Sequence, residues 1–235
     1  TLRVLSAAGI ETAGVGRSLE EAQHPAIFEG GDQGRVLVFS AGSETSGIPS
    51  QWAATEERPG VYLIDEFAPR AAERVKRVID PVRQEGDVVV MSLHWGPNWG
   101  YAVPSARRAF AHALIDDAGV DVIHGHSSHH VKGIEVYRNR PIFYGCGDLL
   151  TDYEGIGGYE AYRGDLGLMY FATLSRSTNG LVTGVMGPTQ MQRFQVKRAA
   201  PNEAIWLAEV LNRKSRRWGA QVKIDDRGWL RLCHD

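Results

Sequence analysis

Cysteine is nearly absent from this 235-residue chain: it has two, Cys146 and Cys233, far apart and outside any Cys-x-x-Cys spacing. That argues against a disulfide framework and against a thiolate zinc site. It is compatible with a reducing compartment, and the cytoplasm is the expected setting. Long apolar runs are missing too. None approaches the ~20 residues of a membrane-spanning helix, so no transmembrane segment is expected. The opening Thr-Leu-Arg-Val-Leu-Ser-Ala-Ala-Gly has neither the basic nor the hydrophobic region of a signal peptide. Neither sign of charge dominates: 26 Lys and Arg against 28 Asp and Glu leave a formal charge of −2 and a pI near 6.4. Nothing global therefore points to nucleic acid or an anionic membrane. Internal repeats and low-complexity linkers are also lacking.

What the chain does have is histidine gathered in one place. Four of its eight histidines, His124, His126, His129 and His130, fall within seven residues behind the β-branched run Val120-Asp-Val-Ile. Neutral imidazole is a common ligand for Zn, Fe, Mn and Ni, and Gly125 would let the chain turn sharply from strand to loop. A divalent metal site is the leading reading.

The surroundings predict an α/β fold, and 43% hydrophobic residues suffice for a core. Asp87-Val-Val-Val-Met-Ser-Leu-His94 reads as a strand covered on both faces. A helix capped by Ser105 follows, carrying Ala109, Phe110, Ala113 and Leu114 inward and stopped by Gly119. The histidine-rich strand comes next. Such a βαβ unit makes its strands parallel, so His94 and the cluster should emerge at one sheet edge, where open α/β sheets bind ligands.

Elsewhere, Leu2 to Ala8 suggests a helix ended by Gly9, and residues 10–13 a short strand. Ser18-Leu-Glu-Glu has a capping-box pattern. Arg35 to Ser40 reads as a strand, residues 41–59 as a long loop with an exposed Trp52, and residues 71–82 as a helix that Pro81 ends or kinks. Residues 134–137 and 141–144 form a hairpin around Arg-Asn-Arg. Strands are expected over 165–174 and 181–196. A helix over 202–218 turns Trp206, Leu207, Val210 and Leu211 inward, and a hairpin closes the tail around residues 225–228.

Individual residues carry more than one reading. His94 is either a ligand or a core histidine; its partnership with the cluster favours the ligand. His126 and His129 are read as ligands. His124, inside the strand, is a packing or metal-supporting residue, and His130 either orients a ligand imidazole or faces solvent. Asp148 either accepts a hydrogen bond from a ligand histidine, contacts substrate, or forms an Asx turn. Trp95, Asn98, Trp99 and Tyr101 either wall a pocket or pack. The basic run Arg213 to Arg217 reads as a solvated helix end.

These segments together resemble a known family. Asp87-Val-Val-Val-Met-Ser-Leu-His-Trp-Gly, Phe110-Ala-His-Ala-Leu-Ile-Asp, Val120-Asp-Val-Ile-His-Gly-His-Ser-Ser-His-His, Gly133-Ile-Glu-Val-Tyr and Pro141-Ile-Phe-Tyr-Gly-Cys-Gly-Asp are similar to the CapA family. So are Ala8-Gly-Ile-Glu-Thr-Ala-Gly-Val-Gly-Arg and the later Glu-Ala-x-x-Pro, and the likeness covers essentially the whole chain. CapA is named for poly-γ-glutamate capsule synthesis and is placed in the calcineurin-like metallophosphoesterase superfamily. Two departures stand out. Relatives carry Gly-Asp, Asn-Leu-Glu and Asn-Asn-His motifs ahead of the position matching Thr1. Many also read Gly-x-His-Pro-His in the histidine loop, where Ser127 aligns with the first histidine and His129 with the second.

The resemblance implies a single layered α/β sandwich over residues 1–235, with its N-terminal part missing. It also implies a divalent ion (Mn, Zn, Fe or Ca) on His94, His126 and His129, with Ser127 as a substitute position and Asp148 in a catalytic role. A peptide-like or γ-glutamyl polymer is the implied substrate, for hydrolysis, transfer or peptide epimerisation. The opposing reading is a non-catalytic binding or assembly module. A missing layer would also expose apolar edges and favour a homo-oligomer.

Overall fold

Apolar alternation builds the first sheet of the computed structural model, which describes residues 1–31, 34–64, 70–151 and 156–233. The chain forms two compact units, one of residues 1–96 and 103–123, the other of residues 97–102 and 124 onward. In the first, helix α1 (Leu2–Ala7) buries none of its side chains. Residues 10–13 form no strand, and Ile10 stays half exposed. The short strand lies later: β1 (Val15–Gly16) pairs antiparallel with β4 (Gly60–Val61). Helix α2 (Leu19–Gln23) begins as its capping residues predict, with Glu21 N–H donating to Ser18 Oγ. The Glu21 carboxylate reaches one residue further back than a capping box requires, accepting from Arg17 N–H at 2.9 Å.

Strand β2 (Ala26–Glu29) is antiparallel to β3 (Arg35–Gly42), which runs parallel to β5 (Val88–His94) with Val36 opposite Val88 and Gly42 opposite His94. Along β5, Val89, Met91 and Leu93 are buried while the alternate residues are only partly covered. The two faces are thus less equal than a continuous apolar run suggests. Helix α3 (Ala71–Ile79) seats Val75 and Ile79 in the core. It stops short of Val82, because Pro81 offers no N–H and its ring opposes a carbonyl one turn back.

Helix α4 (Ser105–Asp116) corrects two expectations. Ser105 is its first helical residue and Pro104 holds the cap position, without a side-chain cap. The buried stripe is Arg107, Phe110, Ala111 and Leu114, rotated from the predicted one, so Ala109 stays exposed. Arg107 accounts for the rotation: its guanidinium lies over the Trp95 ring at 5.6 Å, which lets a cation sit on the inner face. Just before β6 (Val122–His126), Asp121 fastens the chain to β5. Its N–H donates to Val89 O at 2.8 Å, and its carboxylate accepts from Val89 N–H at 2.9 Å.

Asp87 is buried at the start of β5. It accepts hydrogen bonds from the Arg35 guanidinium and from Gln84 N–H. The Arg35 bond, aided by that amide, holds its carboxyl below the usual carboxylate range. A depressed folded value stabilises the fold above the unfolded value of about 3.9; the contribution fades as pH falls through the folded one. Wild-type Tm is therefore expected to fall on acidification below about pH 4. Asp87→Asn, weaker already at neutral pH, should show a shallower fall in calorimetry. Parallel curves would contradict this.

The boundary between the units lies within β6. In the second unit, β7 (Ile134–Tyr137) and β8 (Arg140–Phe143) form the predicted hairpin. Arg138 and Asn139 both have positive φ, 48° and 61°, as a twist-matched two-residue turn requires. Strands β9 (Leu166–Leu174), β10 (Leu181–Gln192), β11 (Gln195–Arg198), β12 (Gln221–Ile224) and β13 (Leu230–Cys233) make an antiparallel sheet in which β10 pairs with β9, β11 and β13. The segment expected as one strand to Val196 reverses at Arg193-Phe194, again with two positive φ values. Helix α5 (Pro201–Ser215) lies against β12 and β7, burying Leu207, Val210 and Leu211. Trp206 is only half-buried, with the Arg163 guanidinium 5.8 Å from its ring centre. No helix among the described residues is long and apolar enough to cross a membrane.

Candidate functional site

Strand β6 directs alternate side chains to one face, so His124 and His126 lie together with ring centroids 5.3 Å apart. Burial pulls the His124 pKa below its ordinary value. Beyond His126 the chain turns through Ser127 at φ 108°, a region that side-chain-bearing residues rarely occupy. Ser128 is buried and its hydroxyl donates to His130 O at 2.9 Å, while Cys146 N–H donates to Gly125 O. The loop is thus fastened at both ends. His129 N–H donates to Asn98 O at 3.0 Å, so Asn98 contributes its backbone to the arrangement.

This loop brings His129 to Asp148: Nδ1 and the carboxylate Oδ2 are 2.9 Å apart, with 22% and 24% of the side chains exposed. Asp148 follows Gly147, whose φ is +73°; a Cβ there would stand 3.1 Å from the His130 backbone. Glycine at 147 therefore allows the close approach that places the carboxylate. With Nδ1–H donated to Asp148, the lone pair of a neutral ring lies on Nε2. Such an imidazole is suited to bind a metal or to accept a proton.

His130 is fully buried, which excludes the solvent-facing alternative. Its Nδ1 donates to Val131 O at 3.0 Å and its Nε2 has no partner. Burial pushes its pKa down to about 4, so the ring is neutral near pH 7. It packs among Tyr101, Tyr162 and Trp99, with ring centroids 4.7, 4.7 and 5.9 Å away. Trp99 also lies 5.4 Å from His129.

The first unit holds the other expected residues. His94 ends β5, and its carbonyl accepts from Ser43 N–H at 3.0 Å. Trp95 is 2% exposed beneath Arg107 and is a core residue. Among the described residues, no group of three or more His, Cys, Asp or Glu side chains is disposed to hold a metal ion.

Sequence reasoning missed the residues on the other side of Trp99. Tyr159 stacks on it at 4.4 Å with rings 2° from parallel, and Tyr162 lies 5.6 Å away. Arg163 donates to both Asp165 oxygens at 2.7 and 2.9 Å and pairs with Glu203 at 2.8 Å. Burial pushes the Asp165 pKa up, but the Arg163 and Gln190 hydrogen bonds outweigh it and hold the carboxyl low. Trp99, Tyr159, Glu160, Arg163 and Asp165 line a pocket of about 310 Å³. The signal was Gly158-Tyr-Glu-Ala-Tyr-Arg-Gly-Asp165, in which two tyrosines and an ion pair are set between glycines.

Comparison with known proteins places this arrangement in a family. A "Probable polyglutamine synthesis accessory protein" of Mycobacterium tuberculosis is 44% identical over 94% of this chain and 58% of its own length. The "PGA biosynthesis protein CapA" of Bacillus subtilis is 30% identical over 65% of this chain and 37% of its own. For the "Capsule biosynthesis protein CapA" of Bacillus anthracis the values are 25%, 65% and 35%. The chain thus spans little more than half the length of the mycobacterial relative and about a third of the two Bacillus proteins. Residues 1–153, from α1 through the histidine loop and Asp148, match the family described as "Bacterial capsule synthesis protein PGA_cap", and the chain belongs to that family.

Proposed function

We propose that this chain is the part of a CapA-type, metal-dependent enzyme that carries the histidine loop, acting on a polyglutamate or similar peptide-like polymer during capsule polymer synthesis. The polymer is suggested by the relatives' names, and the chemistry by one observation: the 2.9 Å contact between His129 Nδ1 and Asp148. A carboxylate behind a histidine fixes its tautomer and raises its ligand basicity. That suits Nε2 of His129 to a divalent metal, with His126 as a further candidate ligand in the same unit. When bound, such a metal lowers the pKa of its water from 15.7 towards ~7 and supplies a nucleophile at neutral pH.

The chain's own residues have separate tasks. Asp148 orients His129, and the buried loop hydroxyl of Ser128 holds the turn that presents it. Trp99 and Tyr159, stacked on one another, form an aromatic wall of the pocket beside the Arg163–Asp165 pair, where a polymer segment would lie. A second reading, a polymer-binding module without chemistry, is favoured by that aromatic surface and its pocket, which need no metal.

Calorimetric titration with Mn²⁺ and Zn²⁺ tests the first reading, run on wild type and on His129→Ala. The expected result is a metal site in the wild type that the variant loses. Polyglutamate incubated with the loaded protein should change in chain length for hydrolysis or transfer, or in its D/L ratio for epimerisation. No metal binding in the wild type, or equal binding in both proteins, would overturn the enzyme reading. Polymer binding without metal would then establish the module.

A further inference from the structure

The last turn of α5 and the 3₁₀ turn after it carry Arg213, Lys214, Arg216 and Arg217, four cations in five residues of a chain whose net charge is −2. A helix C-terminus is stabilised by cations in its last turn, yet Arg216 and Arg217 lie past the helix end. Arg213, Arg216 and Arg217 are exposed. Among the described residues none of the four is paired with a carboxylate, whereas Arg35, Arg163 and Arg231 each are. Arg213 and Arg216 line a shallow groove of about 560 Å³ with Asn212 and Glu209.

Two of the cations are held on aromatic faces: Lys214 Nζ lies 4.2 Å from the Tyr101 ring centre and Arg217 4.3 Å from that of Trp218. Partial burial, together with repulsion from Arg213 and Arg217, pulls the Lys214 pKa down. Like charges are thus concentrated on a face whose groove is lined by one carboxylate, Glu209. The face is also continuous with the candidate site. Lys214 covers Tyr101, Tyr101 meets His130, and His130 stacks on Trp99 beside His129.

We propose that Arg213, Arg216 and Arg217 form a docking surface for a linear acidic peptide polymer with one carboxylate per residue, which the Lys214–Tyr101 contact links to the His129–Asp148 site. This deepens the proposed function and takes the polymer's class from it. Guanidinium groups match carboxylates in a two-pronged geometry that ammonium groups lack.

The test is fluorescence anisotropy of a labelled polyglutamate chain against the whole protein. Wild type should bind, and binding should weaken strongly between about 0.1 M and about 1 M salt, as the Debye length falls from ~10 to ~3 Å. The triple variant Arg213→Gln/Arg216→Gln/Arg217→Gln, checked by circular dichroism for an unchanged fold, should bind roughly tenfold more weakly. Equal polymer affinity for wild type and the folded triple variant would overturn the proposal, as would no binding by wild type. Single-stranded DNA of equal length that binds as tightly, and is lost in the triple variant, would assign the face to nucleic acid and overturn it too. The metal titration above reads the enzyme reading independently, so the two failures are distinct.

Discussion

Asp148→Asn is expected to weaken divalent-metal binding roughly 10- to 100-fold while leaving the fold intact. The reason lies in what asparagine keeps and loses. Its carbonyl still accepts from His129 Nδ1–H, so the ring is held in place, but the negative charge that makes Nε2 a better donor to a metal is gone. Charge-assisted hydrogen bonds are roughly twice as strong as neutral ones, and the difference appears at the other nitrogen. Asp148→Ala removes the acceptor altogether and should weaken binding further, because the ring is then free to rotate. The expected order is wild type, then Asn, then Ala. Both side chains are about a fifth to a quarter exposed, and such pairs contribute only about 0–1 kcal/mol to stability. Thermal unfolding should therefore barely separate the three proteins. Equal metal affinity across the series would show that Asp148 does not position His129 for binding.

Much of the fold was legible where local chemistry and tertiary environment agree. The run from Val88 to Leu93 has only one satisfactory fate, a covered strand, and the two-residue turn at Arg138-Asn139 follows from the apolar stretches on either side. Misreadings arose where a tertiary contact overrode the local pattern. The inner face of α4 could not be found from apolar spacing, because Arg107 occupies it by stacking on Trp95. The turn at Arg193-Phe194 contains no glycine, proline or asparagine, so nothing in its composition marks a reversal. Strand β2 has four residues after Pro25 and depends on β3 for its definition.

The site divides along the same line. Histidine is rare enough that a cluster announces itself, and Asp148 stood at the end of a predicted hairpin strand, where an acceptor for a histidine was a natural reading. Tyr159, Tyr162 and Arg163 carry no comparable signal. Their importance comes from Trp99, sixty residues away in sequence, and aromatic residues in a glycine-rich stretch read equally well as loop packing. The aromatic surface is a property of the folded second unit, visible only when residues 97–102 are seated against the loop that follows β6.

Leu207→Ala should produce the largest loss of stability, about 2–5 kcal/mol, as expected for a Leu to Ala change in a core. Leu207 is 0% exposed on the inner face of α5, so its truncation removes both transfer free energy and packing contacts that neighbours cannot fully replace. The helix is also tied at several points. Asn212 accepts from Val222 N–H at 2.7 Å and donates to Val222 O at 3.0 Å; Ser215 Oγ accepts from Ile134 N–H at 2.9 Å. These bonds hold α5 to β12 and β7, and Glu203 joins it to Arg163. Because the ties depend on the helix being seated, loosening Leu207 should lower hydrogen-exchange protection along β7 and β12 as well as α5. Ile205, on the opposite face and 50% exposed, supplies the contrast: Ile205→Ala should change stability by no more than about 0.5 kcal/mol. Denaturant unfolding of both variants decides the matter. A Leu207→Ala cost below about 1 kcal/mol would fall outside the range for a seated core leucine and show that α5 is not docked. The cationic turn at its end would then have no fixed relation to Tyr101 or to the histidine loop.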